Sequence, residues 1–270
     1  MAQSHPTPAR VLSIAGSDAG GGAGIQADLK TMAALGCHGM SAITAITVQN
    51  TLGVRAVQAV APALVASQID AVIEDIGADA VKIGMLPEVA TVHAVAEAIR
   101  RHRLARVVLD PVAVASSGDR LIDADVPPAL MTTLLPRVTL LTPNLSEAAS
   151  LAGHAVSTVD DMRRAAQRLR ERGAQAVLIK GGHLDGPALT DLLLDDSGFT
   201  LWTDSRIDTR NTHGTGCTLS SAIACGLARG LTLVDAISQA RTYLRGALQS
   251  AAHWRLGQGR GPLDHAHRSR

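Results

Sequence analysis

The chain has 270 residues, 46% of them hydrophobic and 18% charged, a globular composition with enough length for one sizeable core. Its 25 Lys and Arg against 24 Asp and Glu leave a net charge of +1, which argues against nucleic acid as a partner. Cys37, Cys217 and Cys225 are widely spaced and form no CxxC pair, which excludes a disulfide framework or structural zinc and makes a reducing, cytoplasmic location the expectation.

Residues 1–10 are polar, carry two prolines and lack the apolar run of a signal peptide, so they read as a disordered lead-in. A strand follows at 11–15, and the glycine-rich stretch 20–24 opens a helix over 24–35. The β-branched run 41–48 is the next strand. It lies in the longest uncharged stretch, 31–54, but Gly36, His38, Gly39, Gln49 and Asn50 would sit poorly in hydrocarbon, so no membrane span is expected. Helices at 62–76, 88–102, 126–135 and 159–172 alternate with strands at 80–83, 106–109, 138–141 and 176–179. Residues 190–194 and 199–203 flank Asp195-Asp196-Ser197-Gly198 as a hairpin; helices at 218–229 and 233–254 close the chain, and 264–270 reads as a frayed tail. Short apolar strands alternating with amphipathic helices predict a single α/β domain over 11–263, with a mostly parallel sheet covered on both faces.

Polar residues cluster just after these strands: Gly16-Ser17-Asp18, Gln49-Asn50, Gly84-Met85, Asp110-Pro111, Thr142-Pro143-Asn144 and Lys180-Gly181-Gly182-His183. In an open parallel sheet these points share one edge, where ligands bind. Ordinary turn chemistry accounts for the Gly, Pro and Asn but not for Gln49, Lys180 or His183. Residues 22–27 fit GxGxx(G/A), a weak dinucleotide signal here, because Ser17, Asp18 and Ala19 separate the loop from its strand and no acidic strand end follows. No Gly-Lys-Ser/Thr follows either, so the loop is not of the Walker type. Asp28, early in the following helix, either complements the helix dipole or bonds a ligand.

Three further motifs each have two readings. In Asn211-Thr212-His213-Gly214-Thr215-Gly216-Cys217-Thr218, a glycine turn before a helix makes an anion site that could hold a transferring phosphoryl group. Cys217 is then either a thiol acidified by the helix N-terminus or a small buried hydrophobe. Asn144-Leu145-Ser146-Glu147 offers oxygen ligands for Mg²⁺ through water, or simply caps a helix. Lys180 at a strand end before two glycines is a phosphate contact or a surface lysine. Of the 25 basic residues only Lys30, Lys82 and Lys180 are lysines, which either survive by chance in an Arg-rich composition or sit where a compact ammonium serves and a planar guanidinium does not.

The strings IAGSDAGGGAGIQADLKT, ITAITVQNTLGV, KIGML, DPV, SSGD, LLTPNLSEA, KGGH, NTHGTGCTLS and GQGRGPLDH span nearly the whole chain. Together they resemble the ribokinase-like superfamily, and within it the hydroxymethylpyrimidine/phosphomethylpyrimidine kinases of thiamine biosynthesis. The resemblance implies a three-layer α/β/α sandwich and a kinase that uses ATP and Mg²⁺ to phosphorylate 4-amino-5-hydroxymethyl-2-methylpyrimidine and then its monophosphate. It also implies a small-molecule enzyme that works without nucleic acid or membrane and is often a homodimer. Carried over residue by residue, Cys217 takes the position of the catalytic base, and the amides of Gly214, Gly216 and Cys217 form an anion hole. Gln49 would bond the aminopyrimidine, with Asp28, Gly16, Met85 and Val112 lining the same pocket. Lys180, Thr212, Thr215 and Asn144 would face ATP phosphates, and Glu147 and Asp110 the metal. Lys30 and Lys82 fall in matching strings without an implied role, and none of the four aromatic residues lies in a substrate motif. Where the family commonly reads DPVMVAKSG, this chain has Ala113 for Met and Ser116 for Lys, which leaves room for pyridoxal. The alternatives are therefore a pyridoxal kinase, a non-catalytic ligand-binding protein on a kinase fold, and, on the glycine match alone, a dinucleotide oxidoreductase.

Overall fold

The computed structural model describes residues 7–115, 118, 119, 121–182, 184 and 186–269; Ser116 and His183 lie outside them. The elements run β1 (Arg10–Asp18), α1 (Gly24–Ala34), β2 (His38–Asn50), β3 (Gly53–Ala59), α2 (Pro62–Asp75), β4 (Ala80–Ile83), α3 (Val89–Arg101) and β5 (Val107–Leu109). After these come α4 (Val126–Ala129), β6 (Leu140–Leu141), α5 (Leu145–Ala152), α6 (Val159–Glu171), β7 (Val177–Ile179), β8 (Ala188–Asp195), β9 (Gly198–Ser205), α7 (Thr215–Ala228) and α8 (Leu233–Ser250). Among the described residues nine strands form one sheet in the order β3-β2-β1-β4-β5-β6-β7-β8-β9. The interior pairs β2/β1, β1/β4, β4/β5, β5/β6 and β6/β7 are parallel, while β3 and the β8–β9 hairpin run antiparallel at the two edges.

Alternation along each strand splits the core into two layers. Leu12, Val81, Val107 and Val177 face one cluster, built with Ile69 of α2, Val95 of α3, Leu151 of α5 and Leu169 of α6. Val11, Ala80, Val108 and Leu178 face the other, built with Met32 of α1, Ile223 of α7 and Tyr243 of α8. This is the expected α/β/α sandwich. Helix α7 is buried from Thr218 through Leu227. Its small residues allow that depth: a Cβ at Gly226 would lie 2.7 Å from the Cβ of Ala236 on α8.

Four expectations need correction. The lead-in ends earlier than residue 10, because Arg10 begins β1 and pairs with Asp79 at 2.7 Å. The predicted helix over 126–135 is a short α4 that widens into a π turn (Leu130–Leu134) and then tightens into a 3₁₀ turn (Leu135–Arg137). Pro127 and Pro128 are tolerated in the first turn, whose amides have no intrahelical acceptor, whereas Pro136 lacks a donor and its ring crowds the carbonyl four residues back, so a regular helix cannot run on. Strand β3 was not among the expected strands: its residues are half-buried or exposed, and Arg55 and Gln58 interrupt the apolar pattern. Finally, the tail is docked: Leu263, Asp264 and His265 are buried. Tyr243 Oη donates to the His265 carbonyl at 2.7 Å, and Ser250 Oγ to Asp264 at 2.8 Å.

Candidate active site

The ends of the parallel strands deliver the predicted polar residues to one edge. Two glycine loops meet there in backbone contact. Gly214 caps α7 with φ of 86°, and a Cβ at that position would lie 1.9 Å from the Gly22 carbonyl oxygen, so only glycine permits both the turn and the approach. Asp18 organises the first loop by accepting from the amides of Gly20 (2.8 Å), Gly22 (3.0 Å) and Ala23 (2.8 Å). His213 of the second loop closes on the same carboxylate at 2.9 Å and lies 3.4 Å from Gln49 Nε2. Burial would raise the Asp18 pKa, but the His213 bond and the loop amides outweigh it and hold the carboxyl below its ordinary value. Lys30 Nζ ties the loop back by donating to the Gly21 carbonyl at 2.7 Å. Sequence reasoning assigned no role to Asp18 or His213; the signals available were an Asp two residues before a glycine run and a His inside the second glycine turn.

Gln49, at the end of β2, borders a cavity of about 220 Å³ together with His213, Thr51, Gly259 and Arg260. Gly16 and Met85 touch, since a Cβ at Gly16 would lie 2.6 Å from Met85 Cε. Val112 is partly buried and packs against the core cluster to which Met85 belongs. Asp28 does not line this pocket. It is fully buried on the sheet side of α1, where it takes both Oδ–Nζ contacts of Lys82 (2.9 and 2.8 Å) and bonds from Ser13 (2.6 Å) and Ser221 (2.7 Å).

Helix α7 starts without a side-chain cap, so its first amides, those of Gly216 and Cys217 included, remain available to a ligand. Thr212 and Thr215 stand half-buried in the same turn. A Cβ at Gly216 would lie 3.2 Å from both Asp110 Oδ2 and Lys180 Nζ. Those two groups form an ion pair of 2.7 Å against the helix start. Burial opposes the charge on Lys180, yet Asp110 and Glu147 more than restore it and raise its pKa. Cys217 departs from the acidic thiol that a helix N-terminus suggests. Burial pushes it up to about 11, with Asp28 and Asp110 adding to the rise and Lys82 and the Gly24 amide opposing it.

Asn144 and Glu147 form a reciprocal capping box, the plainer of their two readings. Asn144 Oδ1 accepts from the Glu147 amide at 2.9 Å, and Glu147 Oε2 accepts from the Asn144 amide at 2.7 Å. The cap consumes one oxygen of each side chain and leaves the Asn144 amide nitrogen and the second Glu147 oxygen.

The sequence profile of the phosphomethylpyrimidine kinase family matches residues 18–264. A hydroxymethylpyrimidine/phosphomethylpyrimidine kinase of Rhizobium meliloti is 52% identical over 95% of this chain and 97% of that protein. The chain belongs to the phosphomethylpyrimidine kinase family. Among solved structures, the phosphomethylpyrimidine kinase of Clostridium difficile shares 40% identity at a TM-score of 0.79, covering 89% of this chain and 99% of that one. Bacillus subtilis pyridoxal kinase, solved as an ADP complex, shares 36% identity at a TM-score of 0.90 over 97% of this chain and 99% of that one. The fold is therefore that of the ribokinase-like kinases. Among the described residues no helix is long and apolar enough to cross a membrane.

The kinase site also fits a divalent cation. Asp110 Oδ2 is buried with no hydrogen-bond partner among the described residues. Burial pushes Glu147 up to about 7 against the pull of Lys180, and Asp110 adds to the rise. Two carboxylates thus share the single Lys180 ammonium, and one oxygen of Asp110 has room for a further cation. No cluster of three or more His, Cys, Asp or Glu suited to a metal occurs among the described residues, so the donor set suits an ion held largely by water and phosphate oxygens, as Mg²⁺ is.

Proposed function

We propose that the protein is an ATP-dependent kinase that phosphorylates 4-amino-5-hydroxymethyl-2-methylpyrimidine and then its monophosphate to the diphosphate, in thiamine biosynthesis. The observation that carries this reading is the convergence of Cys217, the uncapped start of α7 and the Lys180–Asp110 pair at one sheet edge. Gln49 bonds the aminopyrimidine, and Gly16, Met85 and Val112 flank the ring. In the first transfer the hydroxymethyl oxygen attacks the γ-phosphorus, its proton passes to the Cys217 sulfur, and the β–γ P–O bond breaks to release ADP; in the second an already ionised phosphate oxygen of the monophosphate attacks, the same bond breaks, and no base is needed. Amides of Gly214, Gly216 and Cys217 take charge from the transferring group, with Lys180 as a fixed cation beside it. Thr212, Thr215 and the Asn144 amide nitrogen supply further donors to the phosphates. Mg²⁺ bound with ATP near Asp110 and Glu147 supplies charge neutralisation and alignment of the phosphate oxygens.

The pyrimidine-kinase reading makes the enzyme a member of the cytoplasmic thiamine pathway, in keeping with three free cysteines. A homodimer is supported by the exposed Ile46 and Val48 on β2, and size-exclusion chromatography with light scattering tests it. The decisive experiment is steady-state kinetics on the pyrimidine alcohol with the Cys217→Ala variant. Turnover should fall by about 10²- to 10⁴-fold with KM nearly unchanged; full turnover would remove Cys217 from the base position. Structural similarity to the B. subtilis pyridoxal kinase makes pyridoxal the competing alcohol. A higher kcat/KM on pyridoxal than on the pyrimidine would reassign the acceptor.

A further inference from the structure

Ser13 and Lys82 are register partners on the adjacent strands β1 and β4. Their neighbours two residues back, Val11 and Ala80, face the layer built by α1, α7 and α8. By strand alternation Ser13 and Lys82 face that layer too. Two polar residues thus stand in an apolar row and meet Asp28 from α1 and Ser221 from α7. The carboxylate of Asp28 accepts from Ser13, from Ser221 and twice from Lys82, and Lys82 and Asp28 are both fully buried. Stability alone is a weak reason for such a site, because a well-packed apolar pair usually does as well. An ammonium is required rather than a guanidinium: Nζ already lies 2.8 Å from where a Cβ of Gly84 would stand. Two of its three N–H groups reach Asp28, and the third has no acceptor among the described residues.

Ser221 lies one helical turn after Cys217, so the two side chains share a face of α7 and the ion pair sits under the sulfur. We infer that Lys82 is a positioning residue for the kinase reaction: its ammonium, seated on Asp28, is the buried countercharge that lets the Cys217 sulfur exist as the thiolate that takes the acceptor's proton. The inference rests on the proposed kinase reading and deepens it. The charged groups acting on the sulfur come from every neighbouring element: Lys82 on β4, Asp28 on α1 and Asp110 after β5, while Lys180 after β7 has the sulfur within its own field. Lys82 opposes the two aspartates and is the strongest of the three charges named on the sulfur. A carboxylate at this position would start from a far lower proton affinity than a thiol, so the buried thiol has the greater need of a cation. A base works best when its proton affinity approaches the working pH, so bringing the sulfur downward raises the rate.

The test compares wild type with the neutral pair Asp28→Asn/Lys82→Met and with Lys82→Gln, which keeps a hydrogen bond to Asp28 without the charge. Removing Lys82 alone as Met would strand a buried carboxylate; the neutral pair avoids that, and Lys82→Gln softens it by keeping a hydrogen-bond donor on Asp28. Alkylation of Cys217 by iodoacetamide, followed by peptide mass spectrometry across pH, should slow about tenfold at a given pH in Lys82→Gln and by less in the neutral pair, which also removes the opposing Asp28 charge. kcat should fall about 30- to 100-fold while KM for the alcohol and for ATP stays within about threefold. Wild-type alkylation rates and kcat in a folded variant would overturn the inference and leave Lys82 a packing residue. If wild-type enzyme does not phosphorylate the pyrimidine alcohol, the kinase reading fails by itself, and the alkylation series still decides whether Lys82 acts on Cys217.

Discussion

Two lysine–aspartate pairs flank the start of α7, and they differ in completeness. Lys82–Asp28 is sealed, with both side chains fully buried and four hydrogen bonds on one carboxylate. Lys180–Asp110 opens to the cleft: the lysine side chain keeps 14% exposure and Asp110 Oδ2 lacks any hydrogen-bond partner among the described residues. A carboxylate with four hydrogen bonds, sealed from solvent with its lysine, is out of reach of a ligand and can only hold other groups in place. An unsaturated one is a partial site that substrate and cation finish. Sequence spacing does not separate these roles, since both lysines sit at or near strand ends.

Breaking the sealed pair should have the largest effect. Asp28→Ala strands a buried ammonium and should cost about 3–5 kcal/mol of stability, read as a lower urea midpoint; an unchanged midpoint would mean that water reaches Lys82. The open pair should respond in activity instead. Lys180→Met should lower the urea midpoint less than Asp28→Ala, because this pair opens to the cleft, while kcat/KM for ATP falls about 10²- to 10³-fold, and equal stability losses in both variants would abolish the contrast. The sulfur between the pairs sharpens it further. Since burial holds the Cys217 thiol up at about 11, its thiolate accumulates only on the alkaline side. Alkylation should climb about tenfold per pH unit from neutrality with no plateau before about pH 10; a plateau near pH 8 would show a hydrated sulfur. The smallest effect lies at the docked tail, away from both pairs. Burial lowers the His265 pKa from 6.5 to about 4, so the folded state resists protonation there. The associated stability is present above the unfolded value and is lost as pH falls from 6.5 towards 4. His265→Gln should flatten that acid limb of a melting-temperature profile, and an unaltered limb would assign it to other groups.

Much of this architecture was legible. Strand–helix alternation with polar residues after each strand placed Gln49, Asp110, Asn144 and Lys180 along one edge, because parallel topology forces strand ends together, while Cys217 was marked by the glycine turn before its helix. Asp28 was misplaced because spacing along α1 does not reveal which face meets the sheet; only the partner residues Ser13, Lys82 and Ser221 do. The Asp18–His213 contact joins residues 195 positions apart and has no local trace. The tail over 264–270 looked polar and loose, yet Asp264 and His265 find buried partners on α7 and α8, Thr218 Oγ1 lying 3.0 Å from His265 Nε2. Three prolines in residues 127–136 were visible, but their combined effect on helix continuity depends on packing that the pattern does not carry.

The distribution of lysines has a practical consequence. The surface carries its positive charge almost wholly as guanidinium, and of the three lysine amines one is sealed, one is paired at the cleft and one, Lys30, is exposed. Among the lysine side chains, amine-directed reagents applied to the folded protein would therefore concentrate on Lys30, whose Nζ rests on the carbonyl of Gly21 in the loop facing the second glycine turn. A fluorophore or tether coupled to a lysine would sit on α1 against an active-site loop, making it a reporter of loop movement and a poor choice for immobilising active enzyme.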